Sequence, residues 1–250
     1  MNPTIALQLY TVRDFTSKDF AGTVKDIAKV GYKAVELAGY GNLSPADAAK
    51  ACVDAGVKVT SLHVGWESVT EKLDETIETA NLFKTKDLVI SGVDPKRYSS
   101  KEACLKLGSE FNSAGAKVRE AGFHLSYHNH DKEFAIYDGK PGYEWILDAA
   151  EPRNLSGQVD LFWVTVAGQN ALRTVKRLGT RIRSLHAKDG TGPGAETPIG
   201  KGAVDFPGIF KFCRENGLAE LFVVEQEAFT GSHLDACRSA LEYLQGAAKA

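Results

Sequence analysis

Short apolar runs recur along the chain, and between them apolar residues return every three or four positions. The first pattern marks strands buried on both faces, the second amphipathic helices. A repeated phrase punctuates the change: helical segment, glycine, strand. Ala28-Lys29-Val30-Gly31 precedes the run from Tyr32 to Leu37, and Asp54-Ala55-Gly56 precedes Val57 to Val64. Glu120-Ala121-Gly122, Arg177-Leu178-Gly179 and Glu215-Asn216-Gly217 repeat it before later runs. A glycine just past a helix takes the left-handed cap conformation without a Cβ penalty. The pattern predicts eight strands, at 4–10, 33–37, 57–64, 87–91, 123–128, 156–161, 181–187 and 221–225.

Helical patterns fill the intervals. Thr23 to Val30 is amphipathic, and Ser44-Pro45 reads as an N-cap followed by proline at the first helical position. Further helices are predicted at 67–83, from Ser100 to Glu120, from Pro141 to Ala150, at 169–178, at 207–215 and at 232–248. Strict alternation of strand and helix implies a parallel sheet. Eight such units match an α/β fold of the (β/α)8 TIM-barrel type. The alternative, an open doubly wound sheet, lacks its glycine-rich fingerprint after the first strand. No linker or composition break interrupts the chain, so residues 1–250 read as one domain. Two long loops follow strands five and seven. The second, 189–204, is rich in glycine and proline, with Pro193 among them. Both lie on the side of a barrel where active sites are built.

Composition narrows the function. The chain has 250 residues, 43% hydrophobic and 25% charged, with a formal net charge of -2. That balance does not fit a sequence-independent nucleic-acid binder. The cysteines, Cys52, Cys104, Cys213 and Cys237, are scattered and form no zinc or disulfide pattern. No apolar run approaches the roughly 18 residues that span a bilayer. Met1-Asn2-Pro3-Thr4 runs straight into the first strand, so a soluble, cytoplasmic protein is expected, a leader outside this sequence aside.

Polar residues gather at the C-terminal ends of the predicted strands. Strand one offers Gln8 and Tyr10, strand two Glu36 and strand three His63. Strand five ends in Tyr127-His128-Asn129-His130, with Glu133 beyond; strand six ends at Asp160. Strand seven gives His186 and Lys188, strand eight Glu225 and Glu227. Each has a plain structural reading alone, yet in a barrel all face one mouth. Asp160, Glu225 and Glu133 would repel one another in a low-dielectric site unless a cation sat between them. Carboxylates and imidazoles without thiolate suit Mn2+, Mg2+ or Co2+, and accept Zn2+.

These motifs resemble the xylose-isomerase-like TIM-barrel family, the sugar phosphate isomerase/epimerase superfamily. Others that carry the likeness are Leu7-Gln8-Leu9-Tyr10-Thr11-Val12-Arg13, Val35-Glu36-Leu37-Ala38-Gly39, Leu185-His186-Ala187-Lys188-Asp189 and Pro198-Ile199-Gly200-Lys201-Gly202. The resemblance implies one divalent cation held by four side chains from strands five to eight. Three fall on Asp160, His186 and Glu225. The fourth, a glutamate in the family, falls on His128, leaving either His128 or Glu133 to complete the set.

The resemblance further implies proton abstraction beside a ketone, with the cation stabilising an enediolate. Glu225 or Glu133 would act as base, with His130 and Lys188 as further catalytic groups and Gln8, Tyr10, Glu36 and His63 as sugar contacts. Returning the proton to carbon makes an isomerase or epimerase of a sugar or keto-sugar. Losing a β-oxygen makes a dehydratase or lyase of a keto-sugar, keto-glycoside or keto-inositol. A nuclease of the endonuclease IV type is a minor alternative. The expected partner is a small sugar, with no nucleic acid and no membrane; the assembly is left open to a homo-oligomer.

Overall fold

The computed structural model describes residues 3–192, 194–229 and 231–249; Met1, Asn2 and Pro193 of the sequence reading lie outside them. Eight parallel strands close into a barrel in sequential order. They are β1 (Thr4–Gln8), β2 (Ala34–Leu37), β3 (Lys58–Val64), β4 (Asp87–Ile90), β5 (His124–His128), β6 (Ser156–Asp160), β7 (Ile182–Ala187) and β8 (Leu221–Val224). Leu7 pairs with Val35 on one side and Val224 on the other, which closes the ring. All eight fall within the predicted runs.

Helices surround the barrel: α1 (Arg13–Thr16), α2 (Phe20–Val30), α3 (Pro45–Ala55), α4 (Trp66–Thr70), α5 (Leu73–Leu82), α6 (Lys101–Glu120), α7 (Gly142–Asp148), α8 (Leu161–Val166), α9 (Ala171–Leu178), α10 (Phe206–Asn216) and α11 (His233–Ala247). Their starts follow the capping rule: Ser44, Ser100, Asn170, Asp205 and Ser232 each accept a backbone N–H in the first turn. Gly56 and Gly217 end α3 and α10 in the left-handed region, at φ of 71° and 62°. None of the described helices is long and apolar enough to cross a membrane.

The structure departs from the pattern in three places. Strand one stops at Gln8 rather than residue 10, because the Gln8 side chain accepts the Tyr10 N–H at 3.1 Å and opens a 3-10 turn over Leu9–Val12. The expected helix 67–83 is two helices, α4 and α5. The Thr76 hydroxyl donates to Ser68 O at 2.8 Å across the break, satisfying a carbonyl at the end of the first. Leu161 to Val166 forms a short helix of its own, opened by Asp160, whose Oδ1 accepts the Trp163 N–H at 2.9 Å.

The large apolar core lies between sheet and helices, where Phe20, Tyr32, Phe111, Tyr127, Tyr143 and Phe206 are fully buried. Inside the barrel the character changes. A small cluster of Ala6, Ala34 and Val223 fills the N-terminal end. Above it stand buried Ser61, Ser126, Gln158 and Ser184. Barrels commonly fill this space with branched aliphatic layers; here the inner layer is polar and supports what lies above. The strand register shifts between Val35 and Glu36 and between Gly157 and Gln158. Such irregularities re-aim side chains, and both immediately precede residues of the polar layer.

Candidate active site

The C-terminal mouth of the barrel holds a cavity of about 440 Å³, lined by Tyr10, His63, His128, His130, Glu225 and Glu227 among others. Each sits at or just beyond a strand end, so the sheet fixes the Cα positions and alternation fixes the direction.

Among the described residues, two groups bring three ligand atoms within 4.8 Å of one another: Asp160, His186 and Glu225, and His63, His128 and His186. In the first group Asp160 is held from behind. Its backbone N–H donates to Asn129 Oδ1 at 3.0 Å, and its Oδ1 caps α8. Its Oδ2 is buried with no hydrogen-bond partner, as is His186 Nδ1. That nitrogen lies 3.2 Å from Glu225 Oε2, out of line for a hydrogen bond, and 3.9 Å from Asp160 Oδ2, too far for one. Buried polar atoms are rarely left this way. Two carboxylates, one imidazole and two orphaned atoms facing one point are what a cation would satisfy, so the donor set fits a divalent metal.

The charges agree. Burial pushes the Asp160 carboxyl up to about 7, with Lys188 and His186 pulling against it. Burial also raises Glu225, but the His186 imidazole and the Lys188 ammonium outweigh it and hold this carboxyl well below the usual range. Burial works against charge on His186, yet Glu36 and Glu225 raise it to about 10.

The three imidazoles of the second group are satisfied from behind. His63 Nε2 lies 2.7 Å from Gln158 Oε1 and 3.0 Å from Glu36 Oε1. His128 Nδ1 lies 3.1 Å from Gln158 Oε1. Burial and the neighbouring His186 and His63 drive His128 well below the usual imidazole range. His128 packs edge-on against His186, ring centroids 4.6 Å apart, but it is not in the group with Asp160 and Glu225.

Glu133 is in neither group, which corrects its reading as ligand and base. It is buried in a 3-10 turn, where Oε1 accepts the Tyr127 hydroxyl at 2.6 Å and Oε2 accepts the His130 N–H at 3.2 Å. Tyr127 belongs to the outward face of β5, packed on Phe111 and Tyr143. Glu133 therefore sits behind the strand and ties down the turn that carries His130. Its distance from His128 in sequence allowed the reach; the direction of the loop decided otherwise.

Gln8 and Glu36 do not line the mouth either. Both are 0% exposed, and Gln8 Nε2 donates to Glu36 Oε1 at 2.8 Å while its Oε1 takes the Tyr10 N–H. No surface is left on either to meet a sugar, so the substrate reading moves to Tyr10 and His63. Tyr10 is 42% exposed at the rim, with Arg13 stacked over its ring. Lys188 is 1% exposed. Its Nζ lies 2.6 Å from Glu227, 3.2 Å from Glu225 and 3.5 Å from Glu196. It is a fixed counter-charge to Glu225 rather than a free group in the cavity. Glu196 also accepts the N–H groups of Glu227 and Ala228, at 2.6 and 3.0 Å, and so ties the loop after β7 to the loop after β8.

Sequence reasoning missed Gln158, Ser61, Asn129 and Glu196. For two of them a signal was present. Ser61-Leu62-His63, Ser126-Tyr127-His128 and Ser184-Leu185-His186 repeat serine two residues before histidine, and Gln158-Val159-Asp160 is a fourth polar pair. Period-two spacing puts each pair on one face, which outlines the polar layer below the site.

A family model described as Xylose isomerase-like TIM barrel matches residues 24–247. The inosose dehydratase of Clostridium perfringens is 25% identical over 152 residues, 54% of this chain and 50% of that protein. The match thus spans about half the length of the curated relatives. A sugar phosphate isomerase/epimerase from Parabacteroides distasonis superposes with a TM-score of 0.83 at 22% identity, covering 98% of this chain and 96% of that one. The probable 3-DHS dehydratase from Bacillus anthracis superposes with a TM-score of 0.75 at 15% identity, covering 98% of each chain. At these identities the structural likenesses carry the fold alone.

Proposed function

Because this chain belongs to the xylose isomerase-like TIM barrel family, we propose that it is a metal-dependent enzyme that moves a proton beside the ketone of a small sugar. The observation that carries this reading is the buried trio Asp160, His186 and Glu225, with its two orphaned atoms, of which Glu225 lines the mouth cavity. These three residues would hold one divalent cation, Mn2+, Mg2+ or Co2+ by the hardness of the donors, with Zn2+ also accepted. Bound there, the cation supplies Lewis-acid polarisation of the substrate carbonyl.

The chain's own groups supply the rest. Glu225 is the base. Lys188 keeps it ionised, and at 7% exposed it is shielded from water. Glu227, the other carboxylate lining the cavity, is neutralised by Lys188 and Arg13. Glu133 is turned behind β5, Asp160 would be engaged by the cation and Glu227 is held by Lys188 and Arg13, so among the described residues Glu225 has no second free carboxylate to pair with in a symmetric two-base epimerisation. The proton that Glu225 takes from one carbon is therefore returned by Glu225 to its neighbour on the same face, while the hydroxyl proton passes from one oxygen to the other as the carbonyl moves, which is isomerisation. Tyr10 and His63 bound the sugar at the rim. The substrate is a small molecule and not a nucleic acid, in keeping with the net charge of -2.

A second reading is loss of a β-oxygen as water, making the protein a dehydratase. The dehydratase names among its relatives favour it, and so does His130, which lines the same cavity and can reach a departing oxygen. Incubating the Mn2+-loaded protein with keto-sugars in D2O separates the two. The isomerase reading expects an isomeric product with less than one solvent deuteron per turnover. An enone with loss of water, and no isomer, overturns it in favour of the dehydratase.

A further inference from the structure

One layer below the trio lies another buried acid, Glu36, at the register shift between β2 and β3. No part of it reaches solvent. Its Oε2 accepts the Ser61 hydroxyl and, at 2.7 Å, the Gln158 amide. Its Oε1 accepts the Gln8 amide at 2.8 Å and lies 2.7 Å from His186 Nε2 and 3.0 Å from His63 Nε2. The five donors come from four strands, β1, β3, β6 and β7, so the carboxylate is anchored across the barrel. A buried ionised carboxylate demands such a set. Burial alone would raise Glu36, but the imidazoles of His63 and His186 overcome it and hold the acid well below its ordinary range.

What makes this more than packing is the far side of the same ring. With Nε2 fixed on Glu36, the atom His186 turns toward Asp160 Oδ2 and Glu225 Oε2 is Nδ1, the nitrogen that has no hydrogen-bond partner. A histidine that ligates a metal through one nitrogen commonly donates the other N–H to a carboxylate, which fixes ring orientation and tautomer. We propose that Glu36 is the positioning residue of the cation site: it holds His186 by Nε2 so that Nδ1 completes the ligand set with Asp160 and Glu225. The inference rests on the metal reading above and adds to it a role for an acid that touches neither cation nor sugar. A competing account is a plain ion-pair stack, with a charged His186 clamped between Glu36 and Glu225 and no cation involved. In that account Glu36 matters to stability alone.

The two accounts part on cation affinity. Apo protein is titrated with Co2+ by calorimetry, and the visible absorption of the Co2+ form is recorded. Wild type is expected to bind one Co2+ per chain. Glu36→Gln removes the charge and is expected to bind about 10- to 100-fold more weakly, the usual cost of losing an outer partner of a ligand, with a shifted visible band. Glu36→Asp keeps the charge, so it guards against a folding failure in the first variant. Its shorter arm gives up the contact to Nε2, and about tenfold weaker binding is expected on the same grounds. Folded variants that bind Co2+ within twofold of wild type with an unchanged spectrum overturn the inference and leave the metal site standing. Wild type that binds no Co2+ overturns the metal reading itself, and the inference with it.

Discussion

Asp160 divides its work between two oxygens. Oδ1 starts α8 through the Trp163 N–H, and Oδ2 faces Glu225 and His186 with no hydrogen bond of its own. Glu225 beside it is the proposed base, and its replacement gives a direct reading at this scale. Glu225→Gln is expected to lower turnover about 10²- to 10⁴-fold, the range for losing a general base, while far-UV circular dichroism stays as in wild type. Near-normal turnover in that variant would remove Glu225 from the mechanism. Glu133 provides the contrast. Its contacts are the Tyr127 hydroxyl and the His130 N–H, so Glu133→Gln is expected to cost about 1–3 kcal/mol of stability and to leave cation affinity unchanged. A lost cation in that variant would restore Glu133 to the ligand set. These two acids also mark where sequence alone is readable. Glu225 ends an apolar run, so its direction follows from the strand. Glu133 lies in a loop, where spacing gives reach but not side. Glu36 shows the same limit in depth: its strand position was plain from the sequence, its burial beneath the histidines was not.

At the level of elements, the loop after β7 is built around one side chain. Asp189 accepts four backbone N–H groups, from Gly190, Gly200 and Gly202 at 2.9 Å and from Val204 at 3.2 Å. The carboxylate thus adds to the segment's few backbone bonds, such as Thr197 N–H to Asp189 O and Ala203 N–H to Gly190 O, and satisfies donors those bonds leave over. Asp189→Ala strands those donors and is expected to destabilise the protein by about 2–4 kcal/mol. Limited proteolysis between residues 190 and 204 is expected to speed up first, and a variant as resistant as wild type would contradict this. Because Glu196 in the same loop links Lys188 to the backbone after β8, activity should fall with it. The sequence showed the eight strands clearly, because most are short apolar runs and five of them follow a helix-ending glycine; Ser156–Asp160, with Val159 as its one hydrophobic side chain, was found by its place in the alternation. It showed helix ends less well. The break between α4 and α5 depends on the Thr76 hydroxyl reaching Ser68 O, a contact invisible to periodicity. The polar layer inside the barrel was written in the serine-x-histidine repeats, but a strand's two faces can be assigned only once the barrel is closed.

For the molecule as a whole, seven of the eight strands place a side chain in the polar interior or at its mouth: Gln8, Glu36, His63, His128, Asp160, His186 and Glu225. A site drawn from so many strands ties occupancy to global stability. A cation at about 100 times its dissociation constant adds about 2.7 kcal/mol to the folded state. Chelation should therefore lower the melting temperature by about 5–10 °C for a chain of this size, in one transition if residues 1–250 form a single cooperative unit. Adding Mn2+ back should restore it; a melting temperature indifferent to chelator would speak against a bound cation.

The central claim is that Asp160, His186 and Glu225 hold a divalent cation at the mouth of the barrel. Elemental analysis after dialysis, run side by side on wild type and Asp160→Asn, tests it most directly. The asparagine keeps an oxygen to cap α8 and removes the charge that faces the cation. One divalent ion per wild-type chain and far less than one in the variant is the expected result. No stoichiometric metal in wild type, or equal content in the two proteins, would contradict the account.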